Sequence, residues 1–580
     1  MLSSTSTQIP FSYKYLNLCR EKIPSRPNET FTELLSGTRA EYTSFILEMN
    51  FNDSCKQFCD KEFKQKDIKI FKWLIDRDYF INFYLDSLPS SYTTIDVYTN
   101  KTYVNYFQGI PIGFEENDKY YIYNHYNIFI DINKKDDKFQ IVGFSIEPLS
   151  IEQKDIIDCE NLVSDDDTAY MRDYYNNFYA QELKEGNILF TYDVIWRNSN
   201  KTFFSRWDRY LKSGKEYHWL GLIFSNILLF IFSFLLIYIL TRAIKKNIEI
   251  YNNKVLIDEI IDDYGWKQVC NDVFRKPKNL ITFSCMIGTG IELLLIIIIS
   301  LIYNVIGFTH PERRGNLLNQ MVICFCFMSI IGGYVSSYVY RNNDGKEWLK
   351  NSLATSILFP GISLKLLIIV RFLFSLEKSS IGFKISEIAL LVVLWICIST
   401  PLTLIGSFLA LKKRKIKLPC KINILPTSIG QKPWYLKLKY SIWVTGLIPF
   451  STIFIEFIYL LGYMWRYQVY YLASFLTLSL LILVILSSEI SIIFVYLNLC
   501  KGDYNWWWKS FFTSASPSLY VFILSIYYFL YLNITRFTAI IVYFLIMGFF
   551  SAVIALVCGS CGVIFTFAFL YFIYSKIKID

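Results

Sequence analysis

The chain is predicted to be a multispanning α-helical membrane bundle with nine transmembrane helices and an N-terminal β-rich lumenal domain. Three observations lead there. Of its 580 residues 53% are hydrophobic and 18% charged, where an ordinary soluble chain carries about 25% charged residues. From His218 onward, nine apolar runs follow one another, each near or above the roughly 20 residues that a helix needs to cross a bilayer. Ahead of them, residues 1–217 are polar, tyrosine-rich and patterned with period two.

Within 1–217, Val142, Phe144 and Ile146 alternate with Gly143, Ser145 and Glu147, and Ile188, Phe190, Tyr192, Val194 and Trp196 keep one side of a second alternating run. Several such runs broken by turns predict a β-sandwich-like domain, with a helix expected near Lys64 to Tyr84. Four cysteines lie here, Cys19, Cys55, Cys59 and Cys159. An even number suits a disulfide-permissive compartment, and the spacing leaves their connectivity open. Met1 to Tyr15 is polar and lacks the apolar run of about 7–15 residues found in a secretory leader, so a leader is expected to be missing ahead of this sequence or its start to be set differently. Ser205-Arg206-Trp207-Asp208 closes the domain just before the first span.

The nine spans are expected at 218–240, 280–304, 317–340, 352–376, 386–411, 440–464, 470–499, 514–533 and 537–574. The last is long enough to be tilted, broken near Gly559 to Gly562, or two helices. The net charge of +9 comes from basic residues in short loops between apolar runs, a distribution that sets orientation and does not suit nucleic acid. The loops after spans 1, 3, 5 and 7 together with the tail hold 24 Lys and Arg, and the alternate loops hold 6. The positive-inside rule therefore places the first set in the cytoplasm and the N-terminal domain in the lumen or outside. All five Asn-x-Ser/Thr sequons, at Asn28, Asn52, Asn100, Asn200 and Asn533, fall on the lumenal side. The first four are candidate N-glycosylation sites, and Asn533 sits too close to the bilayer to be modified.

Glu456 and Glu489 stand in the middle of apolar spans, with Glu292 and Arg371 nearer the ends of theirs. A charge at mid-bilayer costs about 2.5–3.5 kcal/mol on insertion scales, so such groups face the bundle interior or water. Two readings stand: a proton or ion path, and hydrogen bonds to neighbouring helices that fix packing. The pattern favours packing, because no matching broken-helix pair and no acidic ladder is present. Gly288-Thr289-Gly290, Gly332-Gly333 and Gly559-Ser560-Cys561-Gly562 supply small residues for close helix approach. Trp506, Trp507 and Trp508 read as an aromatic belt at the cytoplasmic interface. The basic run Asp272 to Asn279 reads as a solvated flank that attracts anionic lipid. Cys558-x-x-Cys561 lies in an apolar helix without redox context. No catalytic motif is found, so no enzyme and no cofactor is expected.

Several stretches carry a resemblance. They are Gly265-Trp266-Lys267 with Asp272-Val273-Phe274-Arg275, Trp395 with Ser399-Thr400-Pro401-Leu402-Thr403, Leu447-Ile448-Pro449-Phe450, Ser488-Glu489-Ile490-Ser491, and Asp503-Tyr504-Asn505-Trp506-Trp507-Trp508-Lys509-Ser510. With Gly109 to Phe114, Tyr121 to His125 and Phe190 to Val194, they make the chain from about Tyr13 to Asp580 similar to the nonaspanins, the transmembrane 9 superfamily. The resemblance implies a Golgi or endosomal protein that sorts, retains or delivers other membrane proteins, including clients with glycine-rich transmembrane segments, and that contacts membrane lipids. It also implies a function for the end Lys576-Ile577-Lys578-Ile579-Asp580. Taken alone this reads as a basic flank that stops the last helix, but the family ends in a similar Lys-x-Asp/Glu that binds the COPI coat, here Lys578 and Asp580. The alternative from another class is a secondary transporter or channel using Glu456 and Glu489. A receptor whose N-terminal domain binds a ligand is a third reading, with no marked pocket behind it.

Overall fold

The computed structural model describes residues 2–4, 11, 13, 16–19, 41–96, 101–105, 109–135, 138–152, 180–208, 215–255, 265–306, 316–377, 385–423, 425–426, 433–465, 472–532, 534 and 536–575. The N-terminal region is built on a four-stranded sheet of β1 (Asp53–Phe63), β2 (His125–Lys135), β3 (Lys138–Leu149) and β4 (Gly186–Asn198), in the order β3-β2-β4-β1. β2 and β3 form an antiparallel hairpin, β2 and β4 run parallel, and β4 pairs antiparallel with β1. A three-stranded sheet and two-stranded hairpins complete the region. The expected alternation of β3 is present, with Val142, Phe144 and Ile146 buried. On β4 both faces are covered: Ile188, Phe190, Tyr192 and Val194 are buried, and so are Thr191 and Asp193. β4 pairs parallel with β2, and parallel pairing goes with burial on both faces.

The helix expected over Lys64 to Tyr84 is shorter. Helix α1 spans Gln65–Ile75 and buries Phe71, Leu74 and Ile75. Asp78 then takes a left-handed conformation at φ 47°, which turns the chain into the strand Tyr79–Ile81. Just before the membrane, Arg206 is buried, paired with Asp86 at 2.6 Å, while Trp207 enters the core.

Among the described residues nine helical stretches are long and apolar enough to cross a membrane. The helices are α2 (Lys215–Val255), α3 (Leu280–Ile306), α4 (Asn316–Asn342), α5 (Trp348–Leu376), α6 (Ile385–Leu394), α7 (Thr400–Lys412), α8 (Leu438–Trp465), α9 (Leu472–Leu499), α10 (Trp507–Ala515), α11 (Pro517–Leu532) and α12 (Phe537–Ser575). The α6–α7 pair and the α10–α11 pair each make one span.

Two boundaries differ from expectation, and the alternatives for the ninth span are resolved. With 41 residues α2 runs well past the expected 240. At about 1.5 Å per residue it outreaches the ~30 Å hydrocarbon layer, so its charged end leaves the lipid. The eighth span starts at Trp507 rather than 514, because α10 precedes Ser516 and Pro517 opens α11, the helix position where its missing N–H costs nothing. The ninth span is one unbroken helix of 39 residues. Gly559 and Gly562 are used for packing there: a side chain at either would meet Phe511 or Ser514 of α10.

The helices pack in two groups, α3–α7 in one and α2 with α8–α12 in the other, joined chiefly where α12 lies on α3. Polar side chains bind each group internally. Ser284 of α3 donates to Asn351 of α5 at 2.5 Å, and Asn351 donates to Ser336 of α4 at 3.0 Å. Ser510 of α10 lies 3.0 Å from both Ser491 of α9 and Thr566 of α12, which are 3.5 Å from each other.

Candidate functional site

The resemblance motifs that lie far apart in sequence are assembled into contacts. The indole N–H groups of Trp506, Trp507 and Trp508 donate to the carbonyls of Val273, Arg275 and Lys278 at 2.8, 2.9 and 2.8 Å. Trp506 is fully buried and stacks on Trp507 with centroids 4.0 Å apart, and Phe283 stands edge-on to both Trp507 and Trp508. This corrects the aromatic-belt expectation: a belt holds its indoles toward headgroups, whereas these three clasp the loop between α2 and α3. The solvated-flank expectation for that loop holds only in part: Asp272, Val273 and Phe274 are buried, while Lys276, Lys278 and Asn279 are exposed. A buried carbonyl needs a donor, and the Trp506 indole supplies one to Val273; the bond from Trp507 is half-buried and the bond from Trp508 exposed.

The loop is fastened on other sides as well. Arg275 pairs with Asp272 at 2.5 Å and donates to the Asn423 carbonyl at 2.8 Å. The Tyr574 hydroxyl donates to the Trp266 carbonyl at 2.7 Å, bringing the end of α12 onto the same surface. Asn247 of α2 donates to the Tyr496 hydroxyl at 2.6 Å and lies 3.4 Å from the Cys500 sulfur. Burial pushes the Cys500 thiol up from its usual range.

A second assembly explains the motif at Trp395. Pro360 lies inside α5 and has no N–H, so the carbonyl four residues earlier, at Ser356, loses its helical donor. The Trp395 indole takes that place at 2.9 Å. Trp395 opens the π-turn Trp395–Ser399 between α6 and α7, and Pro401 follows at the head of α7. One irregularity in α5 is thus matched by another in the neighbouring span.

The intramembrane charged residues are spread over the two helix groups. Glu456 is buried and takes a hydrogen bond from Ser225 of α2, whose hydroxyl also reaches the Thr452 carbonyl at 2.7 Å. Glu489 of α9 faces Ser233, further along α2. Glu292 of α3 is buried against Gly332 of α4, where any side chain would collide with its carboxylate. Arg371 is buried near the end of α5. Ser225 and Ser233 escaped sequence reading, as serines in an apolar helix have no fixed spacing to a partner on another helix.

In the N-terminal region Cys19 is bonded to Cys59, and Cys55 is also disulfide-bonded. Asn52 is exposed and accepts from the Trp196 backbone at 2.8 Å, and Asn200 is exposed. Cys159, Asn28, Asn100, Asn533, Lys578 and Asp580 lie outside the described residues. The motifs Tyr121 to His125 and Phe190 to Val194 meet as parallel neighbours, with His125 opposite Thr191. His125 is buried between Thr191 Oγ1 at 2.8 Å and Asn127 Oδ1 at 2.9 Å, and Asp193 accepts from Cys55 N at 2.6 Å. A cavity of about 300 Å³ lies where this region meets the bundle, lined by Phe11, Lys69, Trp73, Tyr79, Glu377 and Arg536. Arg536 pairs with Glu377 and places its guanidinium 4.6 Å from the Trp73 ring centre.

Comparison with known proteins identifies the family. The family model described as Endomembrane protein 70 matches residues 10–537. Transmembrane 9 superfamily member 10 of Arabidopsis thaliana is 33% identical, over 100% of this chain and 93% of the relative. Member 9 from the same plant is 32% identical over 100% and 92%, and human member 4 is 30% identical over 100% and 93%. No solved structure matches. The names are those of membrane proteins, none of an enzyme. A bundle of nine apolar spans behind a β-rich region, with its scattered motifs closing on one another and its sequence matched end to end, belongs to the Endomembrane protein 70 family, the transmembrane 9 superfamily.

Proposed function

We propose that the chain is a multi-pass protein of Golgi and endosomal membranes that sorts, retains or delivers other membrane proteins. Its N-terminus is lumenal and its C-terminus cytoplasmic. The observation that carries this reading is the match to endomembrane proteins along the chain. Lys578 and Asp580 recruit the COPI coat, which returns the protein to early membranes. Clients with glycine-rich transmembrane segments pack against the bundle, and lipid covers the outer faces. α2 supports this, because Phe230 and Phe234 point outward, 73% and 75% exposed, on a helix that among the described residues packs chiefly on α8 and α9. Two of its serines meet Glu456 and Glu489, which supports packing by these glutamates over an ion path. Asn52 and Asn200 carry glycans on the lumenal side.

The test is the location of an internally tagged chain with its tail free, beside Lys578→Ser and Asp580→Ala. The native form is expected in Golgi membranes and both variants at the surface or in lysosomes. Unchanged location of both variants would sink the coat-signal reading. Glu456→Gln and Glu489→Gln, which keep the hydrogen-bonding shape, are expected to leave client delivery unchanged; loss of ion flux with correct placement would favour a transporter.

A further inference from the structure

On the face that carries the basic loops, Cys270 and Cys420 are joined, with Cα atoms 6.2 Å apart, inside the ~4.4–6.8 Å range that a disulfide spans. Cys270 lies in the loop clasped by the three tryptophans, and Cys420 in the segment that follows α7. The two segments are aligned independently of the bond: Asn423 N donates to the Asn271 carbonyl at 3.1 Å, and Arg275 reaches the Asn423 carbonyl from the other side. Cys420 is buried and Cys270 half-buried. The clasped loop rests on α10 and α12, while Cys420 extends the chain from α7, so the bond crosses from one helix group to the other.

This face is the cytoplasmic one under the orientation given above, and the inference rests on that reading. Disulfides in the cytosol are kept reduced, and those that form there are transient, catalytic or redox-sensing. We propose that Cys270 and Cys420 are a reversible redox modification site on the cytosolic face, which staples the two helix groups together when oxidised. The oxidant is a small disulfide of the glutathione class. The more accessible Cys270 thiolate attacks one of its sulfurs, forming a mixed disulfide and releasing one thiol. The Cys420 thiolate then attacks the Cys270 sulfur, closing the protein bond and releasing the second thiol. Two protein S–H bonds are lost, one S–S bond is gained, and the two electrons reduce the small disulfide to two thiols. When the bond opens, the three indoles still hold the loop, so the change is confined to the link between the groups.

The experiment uses the full chain in sealed Golgi vesicles, cytosolic face outward, equilibrated with graded ratios of oxidised to reduced glutathione. Free thiols are blocked, the protein is reduced, and newly released thiols are tagged and located by mass spectrometry. Two thiols are expected to interconvert across the series, on the peptides of Cys270 and Cys420, with Cys500 unchanged. Cys270→Ser and Cys420→Ser are each expected to abolish the two-thiol step, and the native chain alone carries the test if a variant misfolds. Thiols that stay free, or a bond that stays closed, at every ratio would overturn the proposal. External protease distinguishes its failure from that of the orientation. If the N-terminal domain is protected and the pair inert, the redox proposal alone is wrong; if the domain is digested, the orientation falls as well.

Discussion

Replacing Trp506 with phenylalanine removes one N–H and leaves the Val273 carbonyl buried without its donor. The expected loss is about 1–3 kcal/mol for the orphaned acceptor, and Trp506→Ala, which also empties an aromatic site, is expected to lose about 3–5 kcal/mol. Thermal unfolding in detergent measures both, and hydrogen exchange of residues 265–279 should rise in each. If Trp506→Phe unfolds at the native temperature and its loop exchanges no faster, the indole bond is not what holds the loop. In sequence the three tryptophans read as an aromatic belt, because an amphipathic ring suits a membrane boundary, and that reading missed their hold on the loop. Their partners were not legible, since these are backbone carbonyls more than two hundred residues away and a carbonyl has no sequence signature. Glu456 was similar: the need for a polar neighbour followed from its position, and the choice of Ser225 followed only from how α2 lies on α8.

At the level of elements, α5 and the α6–α7 span make a testable pair. Trp395→Phe leaves the Ser356 carbonyl unmatched and is expected to cost about 1–3 kcal/mol. Pro360→Ala restores the helical N–H that competes for the same carbonyl, so the double variant should recover much of that loss. A double-mutant cycle in detergent reads the coupling; strict additivity would show that the indole and the proline act independently. The existence of all nine spans was legible because length and hydropathy alone decide whether a helix crosses lipid. Their ends were less so. α2 continues as a charged helix where hydropathy stops, and α12 passes through Gly559 to Gly562 unbroken because α10 fills the space that the glycines leave. A longer helix was expected near Lys64, but it stops at Ile75, and the left-handed residue Asp78 turns the chain into the strand Tyr79–Ile81.

For the molecule as a whole, the two faces of the membrane can be told apart by chemistry. Asn52→Gln and Asn200→Gln are each expected to remove one glycan-sized step on a gel, whereas protease added outside sealed vesicles should cut at the exposed Lys412–Lys415 segment and spare the N-terminal domain. Cleavage of that domain with the vesicles intact would reverse the orientation. The proposed orientation rests on charge counting, since the loops are short and their basic residues uneven. The pairing of β2 with β4 was not readable: parallel neighbours need a long crossover, and alternation along each strand says nothing of which other strand lies beside it. The contact of Arg536 with Glu377 and Trp73 has a practical corollary for imaging. A helical bundle inside a detergent micelle gives particle images few landmarks, whereas a domain held at a fixed angle outside it gives each projection a recognisable bearing. The intact arginine should therefore let single-particle averages align without an added antibody fragment, and Arg536→Ala should smear the domain while the helices stay sharp.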